Sequence, residues 1–332
     1  MNDSVSKTRE HGGDPKAVEA RFGVPKDGWL DLSTGINPIP YALSACPDPL
    51  MHRLPLQKDM DALLAAARRA YDVPEGAVIV ASPGTQALIQ LVPSLFKPST
   101  VSIVSPTYGE HAPAWRSAGH QVVEVAKLDV STPYGLVVHP NNPDGRVQTV
   151  AGLLQRADEM FAKGGGLVVD EAFCDVVPGL SVTPHAGREG LIVLRSFGKF
   201  FGLAGVRLGF AICSLTTAER LLEKMGPWAV SGPALWAGTQ ALNDQAWIEA
   251  TRQRLQSDTS RLDNLLCRAG LIHVGGTDLF RLVETTDAQA LFEKLARSGI
   301  LVRPFGTHPT WLRFGLPGDE AGWQRLAAAL DI

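Results

Sequence analysis

The chain has 332 residues, 45% hydrophobic and 20% charged, enough for one large α/β domain and a smaller companion. Its 31 basic and 34 acidic residues leave a net charge of -3, which gives nucleic acid no basic footprint to bind. Cys46, Cys174, Cys213 and Cys267 lie too far apart for a paired metal site, so no metal is expected.

The opening MNDSVSKTREHGG lacks the apolar run of an export signal. No later stretch reaches the roughly eighteen apolar residues of a membrane span. The expectation is a cytoplasmic protein with reduced thiols and no membrane partner. The first fifty residues are irregular, with HGG, INPIP and CPDP, yet Trp29, Leu30 and Leu32 call for packing. Residues 59–71 (DMDALLAAARRAY) carry apolar groups at helical spacing and stop before Pro74.

From there short apolar runs alternate with helical patterns. VIVA at 78–81 precedes SPGTQ and a helix that Pro93 should kink or end. VSIV ending at Val104, QVVEV, residues 136–138, 167–169 and 191–194, and RLGFAI at 207–212 read as further strands. A helix is expected over 149–163. Strands separated by helices imply a mostly parallel sheet covered on both faces, with functional groups at the strands' carboxyl ends. Past Pro227 the pattern changes. Residues 234–269 read as one or two long helices, and LIHV, TDLFRLVE, ILVRPF and WLRFGL alternate strands with a helix over 287–297, a small α+β domain.

Ser196-Phe197-Gly198-Lys199 follows the apolar strand LIVL and precedes a glycine-rich run. A lysine in such a loop is most often surface decoration. Just beyond a buried strand, however, its charge calls for compensation, and a Schiff base with pyridoxal phosphate would give it a reason to be there. Asp170 ends GGGLVVD and could merely cap a helix; beneath a pyridine ring, a carboxylate there would keep the ring nitrogen protonated. Asn142 lies in NNPDG, a turn signal after LVVH, where its side chain could also donate to a cofactor's phenolic oxygen. Gly84 and Thr85 open a helix after VIVA, a start suited to phosphate, with Ser196 and Arg207 as further donors. Tyr108 could stack on a ring or simply pack. Arg313 in the strand WLRFG could grip a carboxylate or snorkel from an edge.

Taken in order, NNPDG, DEAF and SFGKFFGLAGVRLG resemble the fold-type I, aspartate-aminotransferase-like family of pyridoxal-phosphate enzymes, over nearly the whole chain. The resemblance implies a large α/β domain over 35–235 with a mostly parallel seven-stranded sheet. It implies a small α+β domain built from 1–34 and 236–332. It makes Lys199 the cofactor-bearing lysine, Asp170 the partner of the pyridine nitrogen, Asn142 the donor to the 3′-oxygen and Tyr108 the stacking ring. Gly84, Thr85, Ser196 and Arg207 become the phosphate cup, and Arg313 the ligand of the substrate carboxylate. A homodimer with active sites near the subunit boundary is also implied.

Within that family, His11-Gly12-Gly13 and residues 31–38 (DLSTGINP) resemble the cobalamin-biosynthesis CobC/CobD branch of threonine-phosphate decarboxylases, relatives of histidinol-phosphate aminotransferase. This makes His11 a ligand of the substrate phosphate. It implies pyridoxal 5′-phosphate-dependent loss of carbon dioxide from L-threonine O-3-phosphate, giving (R)-1-amino-2-propanol O-2-phosphate. An aminotransferase acting on histidinol phosphate or a related amino phosphate is the rival; a non-catalytic binding protein on the same fold is the remoter one. Two departures stand out. Phe173 follows DEA where many relatives have tyrosine, and Leu54 occupies R-L-P where they commonly show R-Y-P.

Overall fold

The structure is a computed structural model and describes residues 12–332. The chain divides into two compact units. The larger comprises Ile36–Asp258 and Gly275–Leu279; the smaller comprises Met1–Gly35, Thr259–Val274 and Phe280–Ile332.

The larger unit is built on seven strands. They are β1 (Val78–Ser82), β2 (Thr100–Val104), β3 (Gln121–Val125), β4 (Tyr134–Val138), β5 (Gly166–Asp170), β6 (Leu191–Ser196) and β7 (Gly209–Cys213). Their order is β1-β7-β6-β5-β4-β2-β3. β7 is antiparallel to both its neighbours, and all other pairs are parallel. β4, β5, β6 and β7 are buried at every position, which is why they read as unbroken apolar runs rather than alternating ones. On one face Leu88, Ile89, Leu95, Ile103, Trp115, Leu136 and Ile192 form a continuous core.

The RLGFAI strand begins later than its apolar pattern suggests. Arg207 has left-handed backbone (φ 56°), so extended structure starts only at Gly209. Pro93 ends the helix Thr85–Leu91, and a 3₁₀ turn, Val92–Leu95, follows. The helix Val150–Phe161 is capped by Thr149, whose Oγ1 accepts from Gly152 N at 3.1 Å.

The larger unit extends to residue 258, beyond the expected boundary at 235. The helix Gly232–Asn243 packs on the helix Gln57–Ala70: a side chain at Gly238 would meet Leu63 Cδ1 at 2.6 Å. The next helix, Gln245–Arg268, sets Trp247 against Tyr41 and lets Arg254 donate to Asn37 Oδ1 at 2.8 Å. Such pairings join residues some two hundred positions apart and leave no periodic trace.

In the smaller unit, Trp311–Gly315 lies between Phe280–Glu284 and Arg303–Pro304, antiparallel to both, while Leu30–Asp31 pairs in parallel with Ile300–Leu301. Asp287 caps the helix Ala288–Arg297 through Ala290 N. Two further helices, Lys16–Phe22 and Glu320–Ala329, went unmarked by the sequence pattern, although Asp319 caps the second through Gly322 N.

The NNPDG turn is held by a glycine-to-glycine approach inside the larger unit. Gly145 has φ 71°, and a methyl group there would overlap the Gly276 carbonyl. Gly145→Ala is therefore expected to cost roughly 2 kcal/mol of stability, read as a lower urea midpoint with an unchanged m-value.

Candidate active site

Gly84, Thr85, Tyr108, Asn142, Asp170, Ser196, Lys199 and Arg207, named from the sequence, lie at or beside one edge of the large sheet. β1, β2, β4, β5 and β6 run parallel, so their carboxyl ends share that edge, and antiparallel β7 begins there. Asp170 is the last residue of β5 and pairs with Leu194 of the adjacent β6. Lys199 lies five residues after Leu194, on the short helix Phe197–Phe200 that continues β6. Acid and amine thus leave neighbouring strands on one side of the molecule.

The lysine turn is fixed from several directions. Phe197, Phe200 and Phe201 are buried, and a side chain at Gly198 would meet Ala204 Cα at 2.7 Å. Asn37, itself buried, donates its backbone N–H to Lys199 O at 2.9 Å and its side-chain amide to Phe200 O at 2.8 Å. Sequence reasoning noted Asn37 only as part of INP; its clamp on the Lys199 backbone spans 162 residues of chain.

Asp170 is 2% exposed. Its Oδ1 accepts from Ala172 N at 3.0 Å, and its Oδ2 lies 2.8 Å from His111 Nε2. His111 is buried at the start of the helix His111–Ser117, and Tyr108 meets it edge-on at 5.9 Å. A lone histidine before APAW gave no periodic signal of this pairing; only its place three residues beyond Tyr108 hinted at it. Tyr108 also donates its hydroxyl to Gln86 Oε1 at 3.3 Å.

Within NNPDG the two asparagines divide their work. Asn141 is buried and fastens the turn: it accepts from Thr107 Oγ1 at 2.6 Å and donates to Pro106 O and Asp144 Oδ1. Asn142 is half-buried beside it.

At the β1 and β7 end, Gly209 pairs with both Ser82 and Ser196, so the three strand ends adjoin. Thr85 Oγ1 donates to Arg195 O at 3.3 Å. Gly84 has φ 84°, and any Cβ there would sit 2.6 Å from Arg207 Nη2. A Cβ at Gly209 would likewise come within 2.5 Å of Thr85 N. Glycine at these positions leaves a shallow cradle bordered by a guanidinium and by hydroxyls. That donor set suits a phosphate. With an amine, a buried carboxylate and an aromatic ring close along the same edge, the residues fit pyridoxal phosphate.

Arg313 belongs to the smaller unit. It is 7% exposed, donates to Ser33 O at 2.7 Å and lies over the Phe280 ring. Burial, with Arg303 nearby, pulls its guanidinium down to about 9. His11 lies outside the described residues. Leu54 is exposed and Phe173 buried. Among the described residues no group of three or more His, Cys, Asp or Glu side chains could hold a metal, and no helix is long and apolar enough to cross a membrane.

The sequence profile described as Aminotransferase class I and II matches residues 54–330. The chain is similar to the threonine-phosphate decarboxylase of Pseudomonas aeruginosa, at 45% identity over 327 residues, with 97% of each chain covered. It is 47% identical to that of a Sinorhizobium species, covering 96% of this chain and 97% of the relative. A histidinol-phosphate aminotransferase from Sinorhizobium meliloti, solved in complex with pyridoxal-5′-phosphate, shares the fold with a TM-score of 0.80 at 20% identity. That match covers 99% of this chain and 97% of the other.

Proposed function

The chain belongs to the class I and II aminotransferases, and from that premise we propose that it removes carbon dioxide from L-threonine O-3-phosphate with pyridoxal 5′-phosphate as cofactor. One observation carries this reading: identity of 45% and 47% over nearly the full chain to threonine-phosphate decarboxylases.

When bound, the cofactor supplies an electron sink for a bond to the substrate α-carbon. Lys199 would hold it covalently, and Lys199 or water would return a proton to the α-carbon. Asp170, steadied by His111 and Ala172 N, would hold a proton on the ring nitrogen. Gly84, Thr85, Ser196 and Arg207 would hold the cofactor phosphate, Asn142 would donate to its 3′-oxygen, and Tyr108 would stack on its ring. Arg313 takes the substrate carboxylate and His11 the substrate phosphate. Which α-carbon bond breaks depends on how that carboxylate is turned, and transamination needs nearly the same groups. The protein would act in the cytoplasm as a homodimer; exposed Ile39, Met51, Leu54 and Leu56 support the dimer.

The test is direct. Purified protein given L-threonine O-3-phosphate releases carbon dioxide with no keto acid present. Turnover wholly dependent on 2-oxoglutarate, with build-up of the pyridoxamine form, would select the aminotransferase instead.

Arg313 gives a second expectation. Its folded value lies below the ordinary arginine range, so the native state holds that proton less tightly than the unfolded chain does. The cost of burying the charge is fully present below about pH 9 and eases as pH rises through that value. Arg313→Met is expected to raise the urea midpoint at pH 7 while raising KM for the amino acid roughly 10- to 100-fold. A lower midpoint with unaltered KM would remove Arg313 from the carboxylate role.

A further inference from the structure

On the sheet face opposite Asp170 and Ser196, the larger unit holds a buried ionic cluster that the proposed chemistry leaves unused. Side chains alternate along a strand, so Arg195 points away from the face that Asp170, Leu194 and Ser196 share, and Glu171, just past β5, meets it there. Arg195 is 3% exposed. Its Nη1 lies 2.8 Å from Glu171 Oε2 and its Nη2 lies 2.7 Å from Asp175 Oδ1. The guanidinium also covers the Tyr71 ring at 4.4 Å. Glu171 accepts in addition from Ser181 Oγ at 2.5 Å, Val182 N at 2.6 Å and Thr183 Oγ1 at 3.1 Å. Arg252 approaches from another helix and donates to Asp175 O at 2.8 Å.

Buried ion pairs seldom repay the desolvation of their charges, so such a cluster is a poor source of net stability. Burial indeed pushes the Asp175 carboxyl up against the pull of Arg195. What the cluster does supply is geometry. A planar fork with one carboxylate on each prong tolerates little sliding. Glu171 is the residue after Asp170, and Arg195 the residue before Ser196. The same Arg195 backbone accepts from Thr85 through its carbonyl. The segment after β5 therefore meets the Arg195 side chain, and the Gly84–Thr85 segment meets its backbone.

We propose that Arg195, clasped between Glu171 and Asp175, is a positioning residue that sets the offset between Asp170 and the Ser196–Lys199 turn. This rests on the reading of Lys199 and Asp170 as cofactor ligands. Arg195 lies on the reverse face and touches neither substrate nor cofactor. Its effect is on alignment, and a misplacement of about 1 Å can cost roughly 10²-fold in rate.

The experiment uses the cofactor-loaded protein. Glu171→Gln with Arg195→Met removes one charge of each sign and keeps the bonds to Ser181, Val182 and Thr183 possible, which favours folding. Borohydride trapping counts loaded sites, so kcat is expressed per loaded site even where part of a sample is unfolded. The double variant is expected to lose roughly 10- to 100-fold in kcat with KM within about 3-fold of the parent. The pH at which the visible absorbance band titrates should move, and the dissociation constant for pyridoxal phosphate should rise. Arg195→Lys, which keeps the charge and one bond, should fall between. The proposal is overturned if kcat per loaded site and the band titration match the parent, or if Arg195→Lys is no better than the double variant. Absence of trapped cofactor on Lys199 in the parent would instead overturn the site reading itself.

Discussion

Lys199→Ala is expected to lower carbon dioxide release by roughly 10³-fold or more and to leave no cofactor attached after borohydride reduction. In the proposed function the loss follows from tethering of the cofactor by this amine, and it deepens where the same amine also delivers the proton to the α-carbon. The Lys199 backbone is fixed by Asn37, and the turn around it is filled by Phe197, Phe200 and Phe201. Lys199 itself is only half-buried, so truncating it opens little of the core and the thermal midpoint should barely move. Mass spectrometry of the reduced protein and a carbon dioxide assay separate the two duties. A trapped adduct surviving in Lys199→Ala would place the tether on another amine.

The large sheet was readable because its central strands are buried on both faces and are therefore unbroken apolar runs. The start of β7 was misread by two residues: nothing in the letters says that Arg207 adopts left-handed backbone, which the crowded approach to Gly84 accompanies. The order NNPDG, DEAF, SFGK pointed to the site because all three follow strands that end at one edge. His111 and Asn37 were harder to find. Each acts through a partner far along the chain, Asp170 and Lys199 respectively, and a single buried polar residue has no period to betray it. The boundary near residue 258 was hidden for a related reason. Helical composition is continuous across it, and tertiary packing such as Gly238 on Leu63, Trp247 on Tyr41 and the Arg254 bond to Asn37 assigns residues 236–258 to the larger unit.

Asp170→Asn should cost roughly 10²- to 10³-fold in kcat, nearly as much as the lysine, while His111→Phe should cost about 10-fold. The difference separates charge from placement. Asparagine keeps the shape of the side chain and can still accept from Ala172 N at the position Oδ1 now occupies, so packing and the turn after β5 survive. What would disappear, in the proposed function, is the negative charge that keeps a proton on the ring nitrogen, and with it the strength of the electron sink. His111→Phe removes a neighbour of Oδ2 but leaves that charge where it is. A cofactor methylated on its ring nitrogen carries a permanent positive charge and does not depend on the carboxylate. It should therefore restore much of the rate to Asp170→Asn and add little to His111→Phe. If it restored neither, or if both variants lost the same amount, the role of Asp170 would be to shape the pocket rather than to hold a proton.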